Sequence, residues 1–119
     1  MNSDQLKDLI VGALDDAKGL EIVSLDVTDL TDVTDYMVIV TGTSNRHVRS
    51  LTGHVVDVCR EQGERPLGLE GEDTGDWVLL DMTDVVVHLM LADARKFYDL
   101  ERLWNNLGEV SSEEPETVG

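Results

Sequence analysis

The run Val85 to Met90, Val-Val-Val-His-Leu-Met, puts apolar side chains on both parities, and a strand of that kind cannot leave either face in water. Such a strand must lie inside a sheet with other layers over it. Just before it, Trp77 to Leu80 forms a second strand-prone run, and the polar break from Asp81 to Asp84 joins the two as an antiparallel hairpin. A third run, Asp35 to Gly42, is again apolar on both faces and is closed by a glycine. Interior strands of this type require helices to cover them.

The rest of the chain supplies them. Residues 3 to 18 carry Leu6, Leu9, Ile10, Ala13, Leu14 and Ala17 at steps of three and four, with Ser3 or Asp4 as cap and Gly19 as stop. Ser44 caps a second helix whose stripe is Val48, Leu51, Val55, Val58, Cys59 and Gln62, ending at Gly63. A third is expected over Ala92 to Leu107, with Phe97, Leu100, Trp104 and Leu107 turned inward. Between these, Glu21 to Val27 alternates as a strand exposing one face, Pro66 to Glu70 is a short strand, and Gly71 to Gly75 is an acidic flexible loop. The fold class is α/β (α+β): one domain, a five-stranded mixed sheet covered by helices. Residues 1–108 form that domain, and the aperiodic acidic tail 109–119 is expected to be disordered.

Charge narrows the function. Nine Lys and Arg stand against 25 Asp and Glu, a net charge of −16, and such a surface repels nucleic-acid backbones and anionic lipid. A basic protein partner is attracted instead, although acidity also serves plain solubility. The single cysteine, Cys59, has no partner for an internal disulfide and sits among valines as a small hydrophobe, which fits a reducing cytosol. No basic, then apolar, leader opens the chain, and no apolar run approaches the roughly 18 residues of a membrane span. A soluble, cytoplasmic protein is expected.

Candidate chemistry is sparse. Thr41 to His47 lies between a strand and a helix N-terminus, where free amides could hold a phosphate, yet it has one glycine and no P-loop lysine, so ordinary capping is preferred. His47 and His54 are two helical turns apart, poor zinc spacing with one cysteine in the chain, so no metal is expected. Ser44, His47 and Asp57 make a nucleophile set only on paper, and paired acids such as Asp81 and Asp84 read as a solvated turn. No cofactor follows from these residues.

Five linked motifs then point to a family. Asp35-Tyr-Met-Val-Ile-Val-Thr-Gly-Thr-Ser-Asn-Arg-His-Val48, Gly68-Leu-Glu-Gly71, Asp76-Trp-Val-Leu-Leu-Asp81, Asp84-Val-Val-Val-His88 and Phe97-Tyr-Asp-Leu-Glu-Arg-Leu-Trp104 together resemble the ribosomal silencing factors, also called Iojap-like. The likeness runs from the first helix to about Leu107. It implies a nucleotidyltransferase-like sandwich without the catalytic carboxylates, no enzyme activity and no cofactor. It also implies a homodimer when free. On the ribosome, the partner would be the large subunit, met through ribosomal protein number fourteen, with subunit joining blocked under nutrient limitation or during large-subunit maturation. The alternative is a nucleotide-binding enzyme of the nucleotidyltransferase type. Partner contact falls to Asp76, Trp77, Leu79 and Asp81, of which the last three share a strand face, and to Tyr98 in the last motif. An indole at the start of a strand suits either core or contact, and the resemblance favours contact. The family usually has glycine where this chain has Thr83, so a hairpin turn with positive φ at that position is not expected here.

Overall fold

The computed structural model describes residues 1–102. In chain order the elements are α1 (Ser3–Asp16), β1 (Leu20–Asp26), β2 (Tyr36–Gly42), α2 (Asn45–Glu61), β3 (Gly68–Glu70), β4 (Trp77–Asp81), β5 (Val85–Leu91) and α3 (Ala92–Tyr98). The five strands form one sheet in the order β1-β2-β5-β4-β3, with β2 and β5 parallel and every other pair antiparallel. The two runs apolar on both parities are therefore both interior strands, β5 at the centre of the sheet and β2 beside it, as their composition requires.

Alternation along the strands sorts the core into two layers. Val38, Val40, Val78, Leu80, Val85, Val87 and Leu89 face α1 and α2, where they meet Leu6, Ile10 and Leu14 of the first helix and Val48, Leu51, Val55 and Cys59 of the second. Each fully buried aliphatic side chain in this layer contributes about 1.5–3 kcal/mol. Burial also pushes the Cys59 thiol up to about 11, so it behaves as a small hydrophobe. On the opposite face a smaller cluster of Val27, Met37, Ile39 and Met90 is joined by Leu25, Trp77, Ala94 and Leu100. That face is covered at one end by the short α3, and the sheet beyond it stays half-exposed at Leu79, Asp81 and Val86.

Several expectations are corrected. The cap of α1 is Asn2, whose side chain accepts from Gln5 N–H while the Gln5 side chain accepts from Asn2 N–H, a reciprocal box one residue earlier than Ser3. Gln62 is the exposed C-cap of α2 rather than part of its stripe. The third helix stops at Tyr98 because Asp99 takes a left-handed conformation, φ 49° and ψ 53°, and Phe97 is not on an inner stripe but 80% exposed. Trp104, Leu107 and the tail fall outside the described residues. No helix among the described residues is long and apolar enough to cross a membrane.

The hairpin between β4 and β5 departs from expectation most clearly. Thr83 does adopt positive φ, +75°, with Asp84 N–H bonded to Met82 C=O across it, a γ-turn of the strained, positive-φ kind. Asp81 Oδ1 accepts Thr83 N–H at 2.8 Å and holds the turn in place. A β-branched side chain there carries strain that glycine lacks. Since Thr83 is exposed, Thr83→Gly should raise the unfolding free energy by about 1 kcal/mol in urea titration. A loss of stability would contradict the strain assignment.

Candidate functional site

Strand β4 alternates half-buried and buried, so Trp77, Leu79 and Asp81 stand together on the face away from α1 and α2, as their spacing predicts. Across the ladder they oppose Met90, His88 and Val86. The indole of Trp77 donates through Nε1 to His88 Nδ1 at 2.9 Å. His88 is only 8% exposed, and burial pulls its imidazole down to about 4, which keeps the ring neutral and able to accept near neutral pH. Trp77, Leu79 and His88, with Glu70 and Gly71, line a shallow depression of about 230 Å³.

Helix α3 brings two more aromatics to this face. The Tyr98 ring lies 4.5 Å from that of Trp77, tilted by 44°, and Phe97 meets Tyr98 edge-on at 5.0 Å. Tyr98 is 52% exposed, so three aromatic rings run from the sheet outward, ending in the exposed Phe97. What fixes α3 is Arg95, buried beneath it. Its Nη1 donates to Glu21 C=O at 2.6 Å and to Thr41 Oγ1 at 2.9 Å, and its Nε donates to Glu101 Oε1 at 2.8 Å. The Arg95 guanidinium holds the Glu101 carboxyl below its ordinary value. Sequence reading missed both Arg95 and the role of His88. The one available signal for His88 was a polar ring inside an otherwise apolar interior strand.

The acidic loop 71–75 is ordered by side chains of α2. Arg49 donates from Nε to Glu72 C=O and from Nη2 to the carbonyls of Asp73 and Thr74, while Asn45 Nδ2 donates to Thr74 C=O at 2.8 Å and to Asp76 Oδ1 at 2.5 Å. Asp76 thus accepts from the first turn of α2 through Oδ1, and Asp81 accepts from the β4–β5 turn through its own Oδ1. The loop expected to be flexible is built into the approach to Trp77.

The strand-to-helix turn before α2 is likewise engaged internally. Ser44 Oγ accepts His47 N–H at 3.1 Å, and Thr43 N–H donates to His47 Nδ1 at 2.9 Å. His47 Nε2 lies 3.0 Å from Ala17 C=O, so the ring ties α2 to the end of α1 and does not serve Ser44 as a base. Among the described residues no three His, Cys, Asp or Glu side chains are grouped to hold a metal.

Comparison with known proteins decides the lineage. Residues 1–118 match the family described as RsfS, ribosomal silencing factor during starvation. The chain belongs to that family. The ribosomal silencing factor RsfS of Chromobacterium violaceum is 42% identical over 104 residues, covering 87% of this chain and 85% of that one. A crystal structure of a protein from the same organism superposes with a TM-score of 0.87 at 39% identity, covering all of this chain and 95% of its own. A mouse relative, named mitochondrial assembly of ribosomal large subunit protein 1, is 33% identical over 100 residues, 82% of this chain and 44% of its own length. As in the silencing-factor family structure it superposes on, the described residues carry a five-stranded mixed sheet with helices packed against it.

Proposed function

We propose that this silencing-factor family member binds the large ribosomal subunit through ribosomal protein number fourteen. There its bulk keeps the small subunit from joining, repressing translation in the cytoplasm when nutrients are short, with a further part in large-subunit maturation. The observation that carries the reading is the outward aromatic run Trp77, Tyr98 and Phe97 beside the half-exposed Leu79 and Asp81. Aromatic anchors near acids suit a protein surface offering apolar pockets and basic groups. Charge supports the same choice: a body of net charge −16 approaching a particle made largely of RNA is repelled except over a protein island. The family description and the mouse relative's name both point to the ribosome. A binder is favoured over a nucleotide-transferring enzyme because Thr43 N–H, Ser44 Oγ and His47, the groups a phosphate would need, bond to one another.

Phe97→Ser gives a direct test, because this ring is exposed and, among the described residues, its aromatic neighbour is Tyr98. Its removal should leave the melting temperature within a few degrees and weaken cosedimentation with purified large subunits about tenfold, a loss of about 1.4 kcal/mol. Isolated ribosomal protein number fourteen should show the same difference. Unchanged binding by the variant, or absence of wild-type binding to that protein, would overturn the reading.

A further inference from the structure

The polar edge of Trp77 is turned into the molecule. An indole at a sheet surface has one strong donor, and water would satisfy it as readily as protein does. Here Nε1–H instead reaches back 2.9 Å to Nδ1 of His88, two residues along β5 from Met90, the direct cross-strand partner of Trp77. This is a diagonal pair on one sheet face, and the rings lie 5.8 Å apart between centroids. His88 is buried on an inner strand between Val87 and Leu89, and Trp77 is its side-chain hydrogen-bond partner among the described residues. A neutral acceptor in that place has a clear consequence for the indole: it removes the rotamers that would swing the N–H toward solvent. The remaining orientation sets the ring against Tyr98 at 4.5 Å and leaves the depression beside Leu79 open.

We infer that His88 is a positioning residue for partner binding: its Nδ1 holds the Trp77 indole in one orientation, so that Trp77 and Tyr98 meet the partner as a preformed aromatic platform. The inference rests on the binding role proposed above for this surface. Preorganisation lowers the ordering cost of association, so loss of the acceptor weakens binding by freeing the indole to take other orientations.

The test combines one spectroscopic and one binding measurement. In the free wild-type protein, the Trp77 indole N–H, assigned by its absence in Trp77→Phe, should exchange slowly with solvent. His88→Gln keeps an acceptor and should retain binding to purified large subunits within about threefold, whereas His88→Leu removes it and should weaken binding about tenfold. In the Trp77→Phe background, which has no N–H to hold, His88→Leu should cause no further loss. The positioning role is overturned by a rapidly exchanging indole, by a Leu variant that binds like wild type, by a Gln variant as weak as Leu, or by a His88→Leu effect that is undiminished in the Trp77→Phe background. If His88→Leu melts too early to assay, the exchange rate and the Gln comparison still decide. Failure of the wild-type protein itself to bind large subunits would instead sink the binding role, while the exchange rate in the free protein reports on the hydrogen bond alone.

Discussion

Gly71→Ala should lower the unfolding free energy by about 3 kcal/mol or more, while Gly53→Ala in the same chain should raise it by about 0.5 to 1 kcal/mol. Gly71 has φ +85°, and a Cβ built there would lie 2.1 Å from the carbonyl oxygen of Trp77. That neighbour is backbone and cannot rotate away, so left-handed strain adds to a clash of about 1–3 kcal/mol. Because the clash falls on Trp77 itself, the variant should also lose affinity for the large subunit beyond what its residual folded fraction explains. Gly53, midway along α2, is exposed and has nothing within 4 Å of the same added atom, leaving only the gain in helix propensity. Urea titration of both variants checks the pair, and a Gly71→Ala protein as stable as wild type would contradict the close approach.

Arg95→Met should cost about 2 to 3 kcal/mol and release α3 before the sheet. Methionine keeps the aliphatic stem but abandons Glu21 C=O, Thr41 Oγ1 and the Glu101 carboxylate. Breaking a fully buried pair costs about 3–5 kcal/mol, and the lower figure applies because the Glu101 side chain is 30% exposed. The loss has a pH signature. Glu101 has a depressed carboxyl in the folded protein, so its share of stability is present above the ordinary value of 4.5 and fades as pH falls through the depressed one. The stability gap between wild type and variant should therefore be full near pH 7 and narrow in acid. Hydrogen exchange should show α3 unprotected while β2 and β5, still covered by α1 and α2, stay protected. Uniform loss of protection across the sheet would show Arg95 to be a general core element instead of an anchor for the aromatic helix.

The legible parts of this fold were those written in side-chain period. Apolar residues on both parities marked β2 and β5 as interior, and steps of three and four marked α1 and α2, because burial leaves that trace directly in local sequence. Backbone reversals without glycine left no such trace. Thr83 and Asp99 both take positive φ, one against a β-branched preference and one in a residue that tolerates it, and the second cuts a pattern that reads in the sequence as one helix from Ala92 to Leu107. Contacts remote in sequence were equally silent: the chief acceptor for Arg95 is a carbonyl 74 residues away. Among the site residues, Trp77, Leu79 and Asp81 share a face as expected, and Tyr98 lies beside Trp77. The Trp77 ring packs on the Met37, Ile39 and Met90 cluster with one side and stands beside Tyr98 at the surface with the other. Trp77→Ala would mix lost packing with lost contact, which is why the exposed Phe97 gives the cleaner substitution.

The central claim is steric blocking of subunit joining, and light scattering of purified subunits reads it most directly. Large subunits preincubated with the wild-type protein and then mixed with small subunits should show a fall in joined ribosomes that saturates near one protein per large subunit. Phe97→Ser should require about tenfold more protein for the same effect. Normal joining at saturating wild-type protein, with large subunits shown to be occupied, would contradict the account.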